Sequence, residues 1–215
     1  MKLMSYKNII QFSFNYLIHK CKISNIDESH SVKHGMDVFH TANLILNNEI
    51  CNNPGLKDHK TIIGVSSILH DICDNKYFDT NIAINDINNS FKEFLKEEEL
   101  NAISNIIKTM SYSTVKKNGF PNLGIYTSAY HIVREADLLT AYDPDRCIIY
   151  GIEKENLSYT SSLERSIDLL ENRVLKYLED DLFVNEYSKK KAIDLNNDCK
   201  EKIENLKSIK NFLQE

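Results

Sequence analysis

Three prolines and six glycines in 215 residues leave few places where a helix must stop or a hairpin can turn. Through long segments of this chain apolar residues recur at three- and four-residue steps, the period of one helix face, and no segment alternates as a half-buried strand does. An all-α fold follows. At this length one hydrophobic core suffices, because domains commonly run about 100–200 residues, so a single compact helical domain is expected over 1–215.

The pattern divides into a leading helix within 1–26, a core over 27–150 and a helical extension over 157–215. The first helix is expected over 6–22. A second starts near Asp27 or Ser29 and runs to 49 with Val38, Ala42 and Ile45 inward, which sets His30 and His34 one turn apart on one face. A third covers 58–73, followed by polar "NKYFDTN" as loop. A helical pair over 91–95 and 97–110 precedes "SYSTVKKNGFPNLG", read as a long loop of the kind that often carries function. Helix resumes through "YTSAYHIVREADLLTAYD" as far as Pro144, then over 145–152. Two long helices close the chain, one striped by Leu163, Ile167, Leu170, Val174 and Leu178, the other by Ile193, Cys199, Ile203, Leu206 and Leu213, with a turn over 185–188.

Composition removes several classes of function. A net charge of −5 provides no global field for duplex nucleic acid or an anionic membrane. "IIQFSFNYLI" is too short and too often interrupted for a transmembrane helix, which needs roughly 20 apolar residues, and it has no signal-peptide pattern. The five cysteines are odd in number, scattered and never spaced as C-x-x-C, which fits buried thiols better than a disulfide framework or thiolate zinc site. A soluble, cytoplasmic protein is expected.

"SILHDIC" then poses a chemical question, because His70 and Asp71 stand at the end of an apolar run. Adjacent helical residues point about 100° apart, so the two do not share one core face, but both can reach an ion beside a helix end. Imidazole nitrogen mixed with carboxylate oxygen suits divalent metals of borderline or hard character. "DESHSVKHGMDV" offers His30 and His34 as further ligands, and "HIVREADLL" offers Asp137 between Ala136 and Leu138. Taken singly, each of these residues is more readily explained by a hydrogen bond or by exposure than as a ligand.

Taken together, "D-x-S-H-x-x-x-H-G-x-x-V", "SILHDIC" and "IVREADLLTAYD" resemble the HD-domain superfamily of metal-dependent phosphohydrolases, and "LERSIDLLENRVLKYL" resembles the helical tail of its small single-domain branch. The resemblance implies one divalent metal ion (Mn, Mg, Fe, Co, Ni or Zn) held by His34, His70, Asp71 and Asp137. It implies hydrolysis of phosphate esters or anhydrides of small nucleotides by activated water, with His30 facing the pocket as a substrate contact, proton-transfer group or outer partner. His59 and His131 fit no ligand position, which favours one metal over two.

An acid near the attacking water aids proton transfer, and Asp74 is placed either for that or as a plain polar residue at a helix end. Cations are needed against developing phosphate charge. Lys76, Lys116, Lys117, Arg134 and Arg146 are candidates; the arginines carry more weight because arginine is scarce here and clamps phosphate bidentately, although Arg134 has Asp137 and Asp143 as alternative partners. Tyr112 and Phe120 either stack on a base or fill the core. Guanosine-polyphosphate hydrolases of this fold carry an acidic pair where the shorter acid Asp74 and the neutral Asn75 stand here, a departure that counts against that alternative. A non-catalytic HD domain binding a nucleotide or a protein is the alternative from another class. An iron oxygenase on the same helices needs more histidines than are positioned here. The long terminal helices offer a surface for a homodimer.

Overall fold

The computed structural model describes residues 4–24, 26–73 and 79–213. Among them are ten α-helices and no strand: α1 Tyr6–Ser24, α2 Val32–Glu49, α3 Lys60–Leu69, α4 Thr80–Phe91, α5 Glu97–Thr109, α6 Tyr112–Asn118, α7 Thr127–Thr140, α8 Pro144–Glu153, α9 Tyr159–Asn172 and α10 Glu186–Phe212. The all-α expectation therefore holds. No helix is long and apolar enough to cross a membrane among these residues.

α3 is the axis of the fold. From Ile62 to Leu69 every residue is buried, and α1, α2, α5 and α7 pack around it. A helix enclosed on all sides needs neighbours that come close, and two glycines permit this. A Cβ on Gly35 of α2 would stand 2.7 Å from Leu17 Cδ2 and 3.2 Å from the Ile68 carbonyl oxygen, and one on Gly64 would stand 2.6 Å from Ile10 Cδ1. The α2–α3 crossing at Gly35 lies one residue from His34 and two residues from His70, so core packing directly sets where the two imidazoles meet.

Several helices start at side-chain caps that satisfy otherwise orphaned N–H groups. Asp79 accepts from Asn81 and Ile82 at α4, Ser111 from Thr114 at α6, and Ser158 from Ser161 at α9. α8 combines an Asp143 cap with Pro144 in its first turn, where a missing N–H costs nothing. Glu97, Glu98 and Glu99 form the first turn of α5, where negative charge complements the helix dipole.

Local structure departs from the sequence reading at several points. His30 is not on α2. It ends a 3-10 turn, Glu28–His30, and extended Ser31 separates it from the helix of His34. The third helix gives way at His70 to a 3-10 turn, His70–Cys73, instead of continuing as α-helix. α4 occupies 80–91, in place of a helix over 91–95: its many asparagines are weak helix formers, but the Asp79 cap and the burial of Ile84, Ile87 and Phe91 outweigh them. Of "NKYFDTN", residues 75–78 lie outside the described set, while Asp79 caps α4 and Thr80 and Asn81 open it. The segment read as the long loop contains α6, which ends at Gly119 with φ +73°. α9 stops at Asn172, and Arg173 leaves helical geometry before a 3-10 turn, Val174–Lys176, so the stripe from Leu163 to Leu178 is not one helix. In α10 Ile193 faces outward, as does Leu213 just beyond it, while Cys199, Ile203 and Leu206 face the core. Of the cysteines, Cys51 is exposed and Cys147 half-buried; Cys21, Cys73 and Cys199 are buried.

Candidate metal centre

His34 comes from the first turn of α2, His70 and Asp71 from the turn that ends α3, and Asp137 from α7. Their polar atoms converge. The two Nε2 atoms are 3.1 Å apart. From His34 Nε2, Asp71 Oδ2 is at 3.2 Å and Asp137 Oδ1 at 3.3 Å. From His70 Nε2, Asp71 Oδ1 is at 3.2 Å and Asp137 Oδ1 at 3.6 Å. His34, His70 and Asp137 each offer a ligand atom within 4.8 Å of the others, so this group could hold a metal ion, with Asp71 beside it.

The chemistry of the donors fits a cation. His70 Nδ1 lies 2.9 Å from the Ser67 carbonyl oxygen, which only accepts, so Nδ1 carries the hydrogen and a neutral ring presents its Nε2 lone pair to the cluster. Metal-binding histidines are commonly oriented by this kind of outer hydrogen bond. Two imidazole nitrogens and two carboxylates facing one point give that point strong affinity for positive charge.

The ionisation of the same groups follows from it. Burial alone would lower the His70 pKa, but the Asp71 and Asp137 carboxylates outweigh burial and raise it to about 10. Burial likewise works against ionising Asp71 and Asp137, yet the neighbouring imidazoles hold both carboxyls well below the usual range. Arg146 of α8 adds a fixed cation: its Nε donates to the Ser29 carbonyl at 2.6 Å, Nη2 donates to Asp71 Oδ2 at 3.0 Å, and Nη1 stands 3.8 Å from Asp137 Oδ1. It therefore ties the His30 turn to both carboxylates.

His70, Asp71 and Asp137 line a cavity of about 480 Å³, a volume typical of small-molecule sites. His30 lines it too, with its Nδ1 2.5 Å from Ser29 Oγ and 3.7 Å from Asp27 Oδ1, and its ring 5.3 Å from that of Tyr150. Arg146 and Tyr112 are on its wall as well.

Other sequence candidates are elsewhere. Arg134 is 1 % exposed, donates to the Leu182 carbonyl and pairs with Glu135 at 3.3 Å, so it is a core ion-pair residue and not a phosphate ligand, nor a partner of Asp143. Lys116 pairs with Asp180 on the surface at 2.8 Å, and neither it nor Lys117 lines the cavity. Phe120 packs on Arg134 and on the ring of His131, 4.6 and 5.0 Å away. His59 rests against Tyr126, and neither it nor His131 joins the cluster. Asp74 and Lys76 lie outside the described residues.

The cavity wall also contains cations that the sequence reading passed over: Lys108 of α5, Arg165 of α9 and Arg173 just after it. The chain has only four arginines, and three line this cavity. Their scarcity was itself a signal, applied to Arg134 and Arg146 but not to the pair on the α9 side.

Comparison with family models, curated proteins and solved structures returns no match to this chain.

Proposed function

We propose that the protein is a metal-dependent phosphohydrolase of the HD-domain kind, cleaving a phosphate ester or anhydride of a small nucleotide. The observation that carries the reading is the convergence of His34, His70, Asp71 and Asp137 on one point at the edge of a cavity lined by four cationic side chains. Those four residues would hold a divalent ion, which when bound would supply water activation and polarisation of a phosphoryl oxygen.

The chain's own groups account for the rest. The Ser67 carbonyl keeps the His70 lone pair aimed at the centre. Arg146 holds Asp71 and Asp137 in register and adds positive charge where phosphate charge develops. His30 lines the cavity with its Nδ1 engaged by Ser29, which holds the ring where it can meet a bound substrate or take part in proton transfer.

The test is hydrolysis of a panel of mono-, di-, tri-, cyclic and polyphosphate nucleotides with Mn, Mg, Co, Ni or Zn. Native protein is run beside Asp71→Ala. Turnover by the native chain and its loss in the variant is the expected result. Silence across the panel while native protein still binds metal would instead assign the cavity a binding role.

A further inference from the structure

The cations of the cavity are not equally neutralised. Arg146 faces Asp71 and Asp137, and Arg165 is bound by Glu155 through contacts of 2.5 and 2.9 Å. Arg173 and Lys108 have no carboxylate within ion-pairing distance among the described residues. Arg173 is nonetheless half-buried. Its guanidinium lies 4.3 Å from the centre of the Tyr112 ring and donates a hydrogen bond to the Tyr177 phenol, and its Nε is shut off from solvent with no acceptor among the described residues. A guanidinium that lies on the Tyr112 ring in the cavity wall, with no carboxylate paired to it among the described residues, keeps its charge and outer N–H donors for an anion in the cavity. Ser111, Ser113 and Thr114, hydroxyl-bearing residues bonded to one another at 2.7 and 3.3 Å, line the same cavity.

We propose that Arg173, with Lys108 and these hydroxyls, forms a second anion subsite in the cavity, so that its ligand carries a further phosphate or carboxylate besides the phosphoryl group at the metal centre. This rests on the phosphohydrolase reading for the first group only; the second subsite acts by binding and takes no part in bond cleavage. Arg165, already neutralised by Glu155 and 5.1 Å from the Tyr150 ring, buttresses the wall.

The experiment is calorimetric binding to the full chain with Mn²⁺, using an alkyl monophosphate and alkanediol bisphosphates of increasing length as probes. At least one bisphosphate is expected to bind roughly ten-fold or more tightly than the monophosphate, the scale of a charge-assisted contact. Arg173→Gln should remove that preference while leaving monophosphate affinity unchanged, and Arg173→Lys should restore part of it. Lys108→Gln, at an exposed position, should weaken it partially without risk to folding. A matched series ending in a carboxylate separates the two anion classes. No preference at any length, or a preference that survives Arg173→Gln in a variant that melts like the native protein, overturns the proposal. A preference that depends on Arg173 in a protein that hydrolyses nothing would leave the subsite standing and remove the phosphohydrolase reading.

Discussion

The Nδ1 bond from His70 to the Ser67 carbonyl decides which ring nitrogen faces Asp71 and Asp137, and so whether that edge offers a lone pair or a proton. In the metal-free protein the carboxylates favour the proton and raise the pKa from 6.5 to about 10. The resulting stabilisation is complete below pH 6.5 and is lost as pH rises through about 10; the depressed pKa values of Asp71 and Asp137 contribute above their ordinary 3.8 and are lost as pH falls. An ion must displace that proton. Metal uptake near pH 7 is therefore expected to release a proton and to tighten as pH rises. Calorimetric titration in buffers of different ionisation enthalpy checks this, and heats independent of buffer would contradict it. The His-Asp pair was legible in the sequence because an apolar run ending in two well-solvated groups is chemically odd. The role of Arg134 was not, since its partner Glu135 is adjacent in sequence but its carbonyl acceptor, Leu182, comes from a distant turn.

Helix crossings convert these residues into a site. Gly35→Ala places a methyl against Leu17 and the Ile68 carbonyl, where the backbone has little room to yield, so a cost of about 1–3 kcal/mol is expected. The same push separates α2 from α3, and metal affinity should fall with thermal stability; a variant with native affinity and a lowered melting point would uncouple the two. Glu135→Ala serves as the contrast. Glu135 is fully buried and accepts from Val184 N at 2.6 Å and Asn185 Nδ2 at 2.9 Å, which fastens the entry of α10 to α7. Removing it strands Arg134 in the core at about 3–5 kcal/mol, while metal stoichiometry in the folded fraction should stay unchanged. Denaturant melts and metal analysis measure both. Helices with regular apolar spacing, such as α2, α3 and α7, were readable from periodicity. α4 was not, because its asparagines mask the Ile84, Ile87 and Phe91 spacing, and the break before α2 was not, because a 3-10 turn keeps His30 near His34 without continuing the helix.

Over the whole molecule, residues more than a hundred positions apart, from His34 to Asp137, are drawn to one point, so an ion there ties α2, the end of α3 and α7 together. Metal should therefore raise the melting temperature with the concentration dependence of a ligand bound only by the folded state, about 2.7 kcal/mol at a hundred-fold excess over Kd. Asp137→Ala should show no such rise. The four residues that converge were legible because each sits in a short local pattern; Lys108, Arg165 and Arg173 were not, because only the folding of α5 and α9 about the cavity brings them there. The most direct measurement is anomalous diffraction from crystals of the native protein grown with Mn²⁺. One anomalous peak within bonding distance of His34 Nε2, His70 Nε2 and the carboxylates of Asp71 and Asp137 is predicted; a metal bound elsewhere, or none at saturating concentration, would contradict the account.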